Sequence, residues 1–145
     1  MSKIEAGLKK YVDYFNNFSE ETVDDLKDVV AEDVYFRDPF NETYTADQML
    51  HVMRDVFEVT KETTFDMREY VLKDNLAYLK WRCDFTPKKA KKSFEIIGVS
   101  EVKLNSRGLV TSHVDYWDAA EYFYSKIPIL GGIIRLIKNK LKVKF

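Results

Sequence analysis

Near residue 60 the hydrophobic pattern of this chain changes period, from one apolar residue every three or four positions to one every two. A 3.6-residue period cannot lie flat in a sheet and a two-residue period cannot stripe a helix, so the change divides the chain into a helical half and a sheet half. Ahead of it, Ser2 and Glu5 make a capping box, and Ile4, Leu8, Tyr11, Val12, Phe15 and Phe18 recur at helical spacing, which predicts a helix over residues 3–18. Ser19 or Thr22 can cap a second, shorter helix that carries Val23, Leu26, Val29 and Val30 and ends near Glu32. Asp33 to Phe40 mixes β-branched and aromatic residues and runs into Pro39, which predicts a short strand entering a loop with Asp38 at the strand's mouth. Thr45 and Gln48 make another capping box before Met49, Leu50, Met53, Val56, Phe57 and Thr60, the stripe of a third amphipathic helix.

From Phe65 the alternation is interrupted by turn signals at Lys73-Asp74-Asn75, Thr86-Pro87-Lys88-Lys89 and Asn105-Ser106-Arg107-Gly108. Four antiparallel strands are predicted, near residues 64–72, 76–86, 93–104 and 109–118. Three helices, a short strand and a curved antiparallel meander specify an α+β domain with its helices on one face of the sheet. Ala119 to Phe145 returns to helical character in two parts, divided at Ile127-Pro128 and Gly131-Gly132. Residues 3–118 are thus read as the domain body and 119–145 as a helical, basic, amphipathic C-terminal extension of it.

A chain of 145 residues is the size of one domain. Cys83 is the only cysteine, which excludes an intramolecular disulfide, and no Cys/His cluster has metal-ligand spacing. With no glycine-rich phosphate loop either, neither a metal nor a cofactor is expected. The N-terminus lacks the apolar stretch of a secretory signal and no run approaches the ~20 apolar residues of a membrane span, so the expected location is the cytoplasm. The net charge of -1 hides a division: residues 126–145 hold six basic residues and no acid, which leaves -7 on the remainder. The run Lys88-Lys89-Ala90-Lys91-Lys92 reads as solvated protection of a hairpin, and on an acidic body without interleaved aromatics it does not predict a nucleic-acid partner. His51, beside apolar positions of the third helix, reads as solvated or capping.

Three passages resemble the SnoaL-like, or nuclear transport factor 2-like, cone family: Lys10-Tyr11-Val12-Asp13-Tyr14-Phe15-Asn16, Val34-Tyr35-Phe36-Arg37-Asp38-Pro39 and His113-Val114-Asp115-Tyr116-Trp117-Asp118. The resemblance spans about residues 3–118, the family includes ketosteroid isomerases, polyketide cyclases and epoxide hydrolases, and the fold it implies is a cone-shaped curved antiparallel sheet with the N-terminal helices packed on its concave face. Against the isomerases, it implies that Asp38 stands at the general base and Tyr11 at the phenol that meets a developing enolate oxygen. The chain departs from that pattern at Ser100, where the isomerases carry a protonated aspartate, a stronger donor. Asp115 resembles the acid/base position of the cyclases and epoxide hydrolases.

Alternation puts Thr111, His113, Asp115 and Trp117 on one face of the last strand, and the resemblance turns that face, with Ser100, into the cone. The implied pocket holds Asp38, Tyr11, Ser100, His113 and Asp115, walled by Phe15, Met53, Phe57, Trp81, Phe94 and Trp117. Two readings stand for the polar set: proton transfer in a desolvated site, or a buried cluster in which His113 and Asp115 satisfy each other. Two functions follow. One is the binding of a small apolar molecule with a carbonyl or hydroxyl group, on which Asp38 or Asp115 moves a proton while Tyr11 and Ser100 orient the oxygen. The other is a non-enzymatic module, a dimerisation or ligand-sensing cone whose basic tail docks a partner or a membrane surface. A homodimer is expected, and the apolar stripe of the tail has three covers open to it: the cone mouth, a second subunit, or lipid met through residues 133–145.

Overall fold

The computed structural model describes residues 1–145. Ser2 Oγ accepts the Glu5 N–H at 3.0 Å and opens helix α1 (Lys3–Asn16), which buries Leu8, Tyr11, Val12, Tyr14 and Phe15. The helix stops two residues short of Phe18 because Asn16 turns to the sheet, where its amide bridges the backbone of Met67. The next segment is a short 3-10 turn (Val23–Asp28) rather than a helix to Glu32. Val30 instead begins strand β1 (Val30–Arg37), since Val29 and Val30 suit either period and pairing with Val110 decides between them. A two-residue strand β2 (Glu42–Thr43) follows, and Thr45 caps helix α2 (Ala46–Val59) by accepting the Gln48 N–H at 3.1 Å.

The sheet half is strands β3 (Thr60–Lys73), β4 (Leu76–Pro87), β5 (Phe94–Leu104) and β6 (Val110–Tyr116). Six strands stand in the order β2-β1-β6-β5-β4-β3, a curved, unclosed sheet with helices on its concave face. All neighbours are antiparallel except β1 and β6, which run parallel, so the strand from the helical half joins the last strand of the meander. The register lays inward residues in rows across the strands. Phe36, His113, Val102 and Ala77 form one row; Asp115, Ser100 and Leu79 the next; Gly98, Trp81 and Met67 another; Ile96, Cys83 and Phe65 the last. The first rows lie in the closed core against α1, and the last opens toward α2.

Beyond β6 the chain makes a single helical turn α3 (Ala119–Tyr122), a 3-10 turn at Tyr124–Lys126 and helix α4 (Leu130–Leu141). The break falls at Ile127–Ile129 alone. Gly131 and Gly132 lie inside α4, where Gly131 permits close packing: a Cβ on it would stand 2.1 Å from the Ser125 carbonyl oxygen. No helix is long and apolar enough to cross a membrane.

Candidate functional site

A hydrogen-bonded chain runs through the core. Tyr11 Oη lies 2.6 Å from His113 Nδ1, His113 Nε2 lies 2.6 Å from Asp115 Oδ1, Ser100 Oγ donates to the same carboxylate oxygen at 2.5 Å, and Trp81 Nε1 donates to Ser100 Oγ at 2.8 Å. Register explains the meeting: Ser100 pairs directly with Asp115, and His113 precedes Asp115 by two on the same face. With a neutral His113 beside an ionised Asp115, the ring proton sits on Nε2 facing the carboxylate, and Nδ1 accepts from the Tyr11 hydroxyl, which has no other partner. Every donor in this set then points toward one carboxylate, and each buried side-chain polar atom of Tyr11, His113, Ser100 and Trp81 is satisfied.

Tyr11, Ser100 and His113 are at most 2% exposed, and the Asp115 side chain 17%. Burial first, then the charge of Asp115 and the proximity of Tyr14, hold the Tyr11 phenol well above its ordinary range, so it stays a donor. Asp115 meets solvent at a surface cleft of about 860 Å³ formed by residues 37–42 and 114–117.

Asp38 stands apart from this chain. Its Oδ1 accepts the N–H groups of Phe40 and Asn41, each at 2.7 Å, closing the loop between β1 and β2. Oδ2 has only the Asn41 amide at 3.3 Å. Asp38 lies on the rim of a second, more apolar cavity of about 540 Å³ between α2 and the last row of the sheet. Its wall is Val52, Val56 and Val59 of α2, Phe65, Cys83, Phe85 and Ile96 of the sheet, and Phe40, Trp117 and Phe123 at the mouth. Burial, then the charges of Asp84 and Asp115, push the Cys83 thiol up to about 12, so it lines the cavity as an inert apolar group.

Of the six residues expected as apolar wall, Trp117 lines this cavity. Phe15, Met53 and Trp81 belong to the closed core. Phe57 stacks on Phe18 at 4.8 Å between ring centroids, and Phe94 stacks on Phe85 at 5.5 Å. The structure thus bonds Tyr11, Ser100, His113 and Asp115 together, while Asp38 has no bond to them and borders both the cleft that Asp115 meets and the apolar cavity. Five polar residues without a site role from the sequence, Asn41, His51, Asp55, Thr60 and Thr63, line the cavity with Asp38, and His51 and Asp55 are those that α2 contributes. Their signal is the 51/55/59 and 52/56 spacing on α2, a second stripe beside the core stripe of Ala46, Met49, Leu50 and Met53.

A family profile described as SnoaL-like domain matches residues 11–113. No curated protein sequence matches the chain. Among solved structures, an NTF2-like protein of unknown function from Exiguobacterium sp. 255-15 is 19% identical over 77% of this chain and 98% of its own, with a TM-score of 0.67. An LEH-like epoxide hydrolase from M. tuberculosis is 12% identical over 99% of this chain and 96% of its own, also at 0.67. A protein of ketosteroid isomerase-like fold from Catenulispora acidiphila, solved with trimethylamine, is 9% identical over 80% and 88%, at 0.70. At these identities the likeness is one of fold. The profile match covers most of the chain, with Tyr11, Trp81, Ser100 and His113 of the buried relay inside it, and the protein belongs to the SnoaL-like domain family, with the NTF2-like cone fold.

Proposed function

We propose that the protein binds a small, mainly apolar molecule in the cavity beneath α2 and that Asp38 exchanges a proton with it. The observation that carries this reading is the cavity itself: about 540 Å³, ten of its sixteen lining residues hydrophobic, with Asp38, Asn41, His51, Asp55, Thr60 and Thr63 as its polar lining. That size and lining suit a ligand whose body is greasy and whose one polar end remains at the mouth. Asp38 is favoured over Asp115 as the proton carrier because Asp38 borders the cavity, whereas Asp115 lines only the cleft outside it. His51 and Asp55 supply the hydrogen-bonding groups that would orient a ketone or hydroxyl on the rim. The epoxide hydrolase and isomerase-like folds among the similar structures are consistent with a cone that houses such chemistry.

The test is a cyclic ketone in D2O. Wild-type protein should bind it and catalyse exchange of its α-protons, Asp38→Asn should bind equally and lose about 100-fold in exchange rate, and Val56→Arg should abolish both. Equal exchange in Asp38→Asn would overturn the assignment. A binding module without turnover is the second reading, favoured by the closure of Tyr11, Ser100 and His113 within the core; it predicts binding, sensitivity to Val56→Arg and no exchange by any variant.

A further inference from the structure

The C-terminal helix presents an apolar face that nothing in the protein covers. α4 packs chiefly against the turn at Tyr124–Lys126, leaving Ile133 50%, Leu136 58% and Leu141 78% exposed. At about 100° per residue, Leu130, Ile133, Ile134, Leu136, Ile137 and Leu141 fall within an arc of roughly 160°. Arg135, Lys138 and Asn139 occupy the opposite side, and Lys140 lies within the apolar arc, between Leu136 and Ile133, with a stem long enough to carry its charge out of an apolar layer. Val143 and Phe145 extend the exposed apolar surface to the chain end.

Charge selects what covers this face. Residues 126–145 carry six cations and no acid, and none of the six is ion-paired. Two such tails laid side by side would repel. A surface that is apolar beneath and negative above satisfies both sides of the helix at once, and the body, at -7, would be turned away from it. We propose that α4 and the residues after it dock the protein in the plane of an anionic lipid membrane. The linker that carries α4 also supplies Phe123 to the cavity mouth, so a docked helix holds that mouth near the bilayer.

The test is co-sedimentation of the full chain with vesicles of pure phosphatidylcholine or with roughly 30% phosphatidylserine, at about 0.1 M and about 0.5 M salt. Binding to the anionic vesicles should exceed that to the neutral ones by at least about tenfold at low salt and fall steeply at high salt. Leu136→Asp with Ile137→Asp should abolish binding, Lys138→Glu with Lys142→Glu should lower it by about tenfold or more, and Lys138→Arg should preserve it. These positions lie outside the core, and an unchanged unfolding midpoint checks that each variant is folded. Equal binding to both vesicle types, or none to either, overturns the proposal. So does a vesicle-independent dimer that Leu136→Asp dissociates, which would make a second copy the cover.

Discussion

Gly7, in the second turn of α1, and Gly108, in the turn between β5 and β6, lie backbone against backbone. A Cβ on Gly7 would stand 1.9 Å from the Gly108 carbonyl oxygen, and one on Gly108 would stand 2.3 Å from the carbonyl oxygen of Lys3. Replacing Gly7 by alanine sets two effects in opposition. Helix propensity favours alanine by about 1 kcal/mol, while forcing two backbones apart costs about 1–3 kcal/mol or more, and neither backbone can rotate away as a side chain does. Gly7→Ala should therefore destabilise, by about 1–2 kcal/mol net, read as a lowered urea midpoint with unchanged slope. Gly108→Ala should cost more, because its φ of 79° adds backbone strain to the clash.

The buried relay makes a second prediction. Ser100→Ala removes the acceptor of the Trp81 N–H and one donor to Asp115; Tyr11→Phe leaves His113 Nδ1 without a donor. Each leaves a buried polar atom unsatisfied and should lower stability by about 1–3 kcal/mol. Because both act through Asp115, the double variant should depart from additivity by more than about 0.5 kcal/mol in a denaturation cycle. Strict additivity would mean that the relay is two separate bonds.

Much of this arrangement can be read from residue order, and some cannot. The capping boxes at Ser2 and Thr45 form as their side chains require, since a cap is a local interaction complete within four residues. The alternation of β6 places His113 and Asp115 on one face, and of the two readings open for them the geometry has them bonded to each other. The helix expected through Val29 and Val30 gives way to turn and strand because the choice is made by Val110, eighty residues after Val30 in the chain. β2 is too short to carry a period. The cavity wall depends on how α2 sits over the sheet, and its stripe at 51, 52, 55, 56 and 59 is interleaved with the core stripe, so residue spacing does not say which of the two meets a hollow.

Alkaline pH provides a third test. Cys83 and Tyr11 are neutral when protonated, and in the fold both hold their protons above the ordinary values of 9.0 and 10.0, Cys83 to about 12. Between pH 9 and about 12 the unfolded chain releases the thiol proton while the folded chain keeps it, so stability is full below pH 9 and falls as pH rises. The slope from Cys83 alone should approach about 1.4 kcal/mol per pH unit. Cys83→Ala should be less stable at neutral pH yet show a shallower decline above pH 9, measured by urea denaturation across the range.

Asp38 has a structural duty that can be separated from the proposed chemical one. Asn at this position retains the oxygen that accepts the Phe40 and Asn41 N–H groups, whereas alanine loses it. Asp38→Asn should unfold within about 2 °C of wild type and Asp38→Ala several degrees lower by scanning calorimetry. An equal drop in both would mean that the negative charge, and not the acceptor, closes the loop.

The parallel pairing of β1 with β6 has a consequence for the order in which the molecule is made. As the polypeptide leaves the ribosome, β1 emerges early with only the two residues of β2 to pair with, and its long neighbour is synthesised last among the strands. Until residue 116 is clear of the exit tunnel, β1 keeps an unmatched backbone edge and the row through Phe36 and His113 is incomplete. Completion of the sheet is therefore expected to be slowed by this long closure, with the nascent N-terminal half a natural client for chaperones.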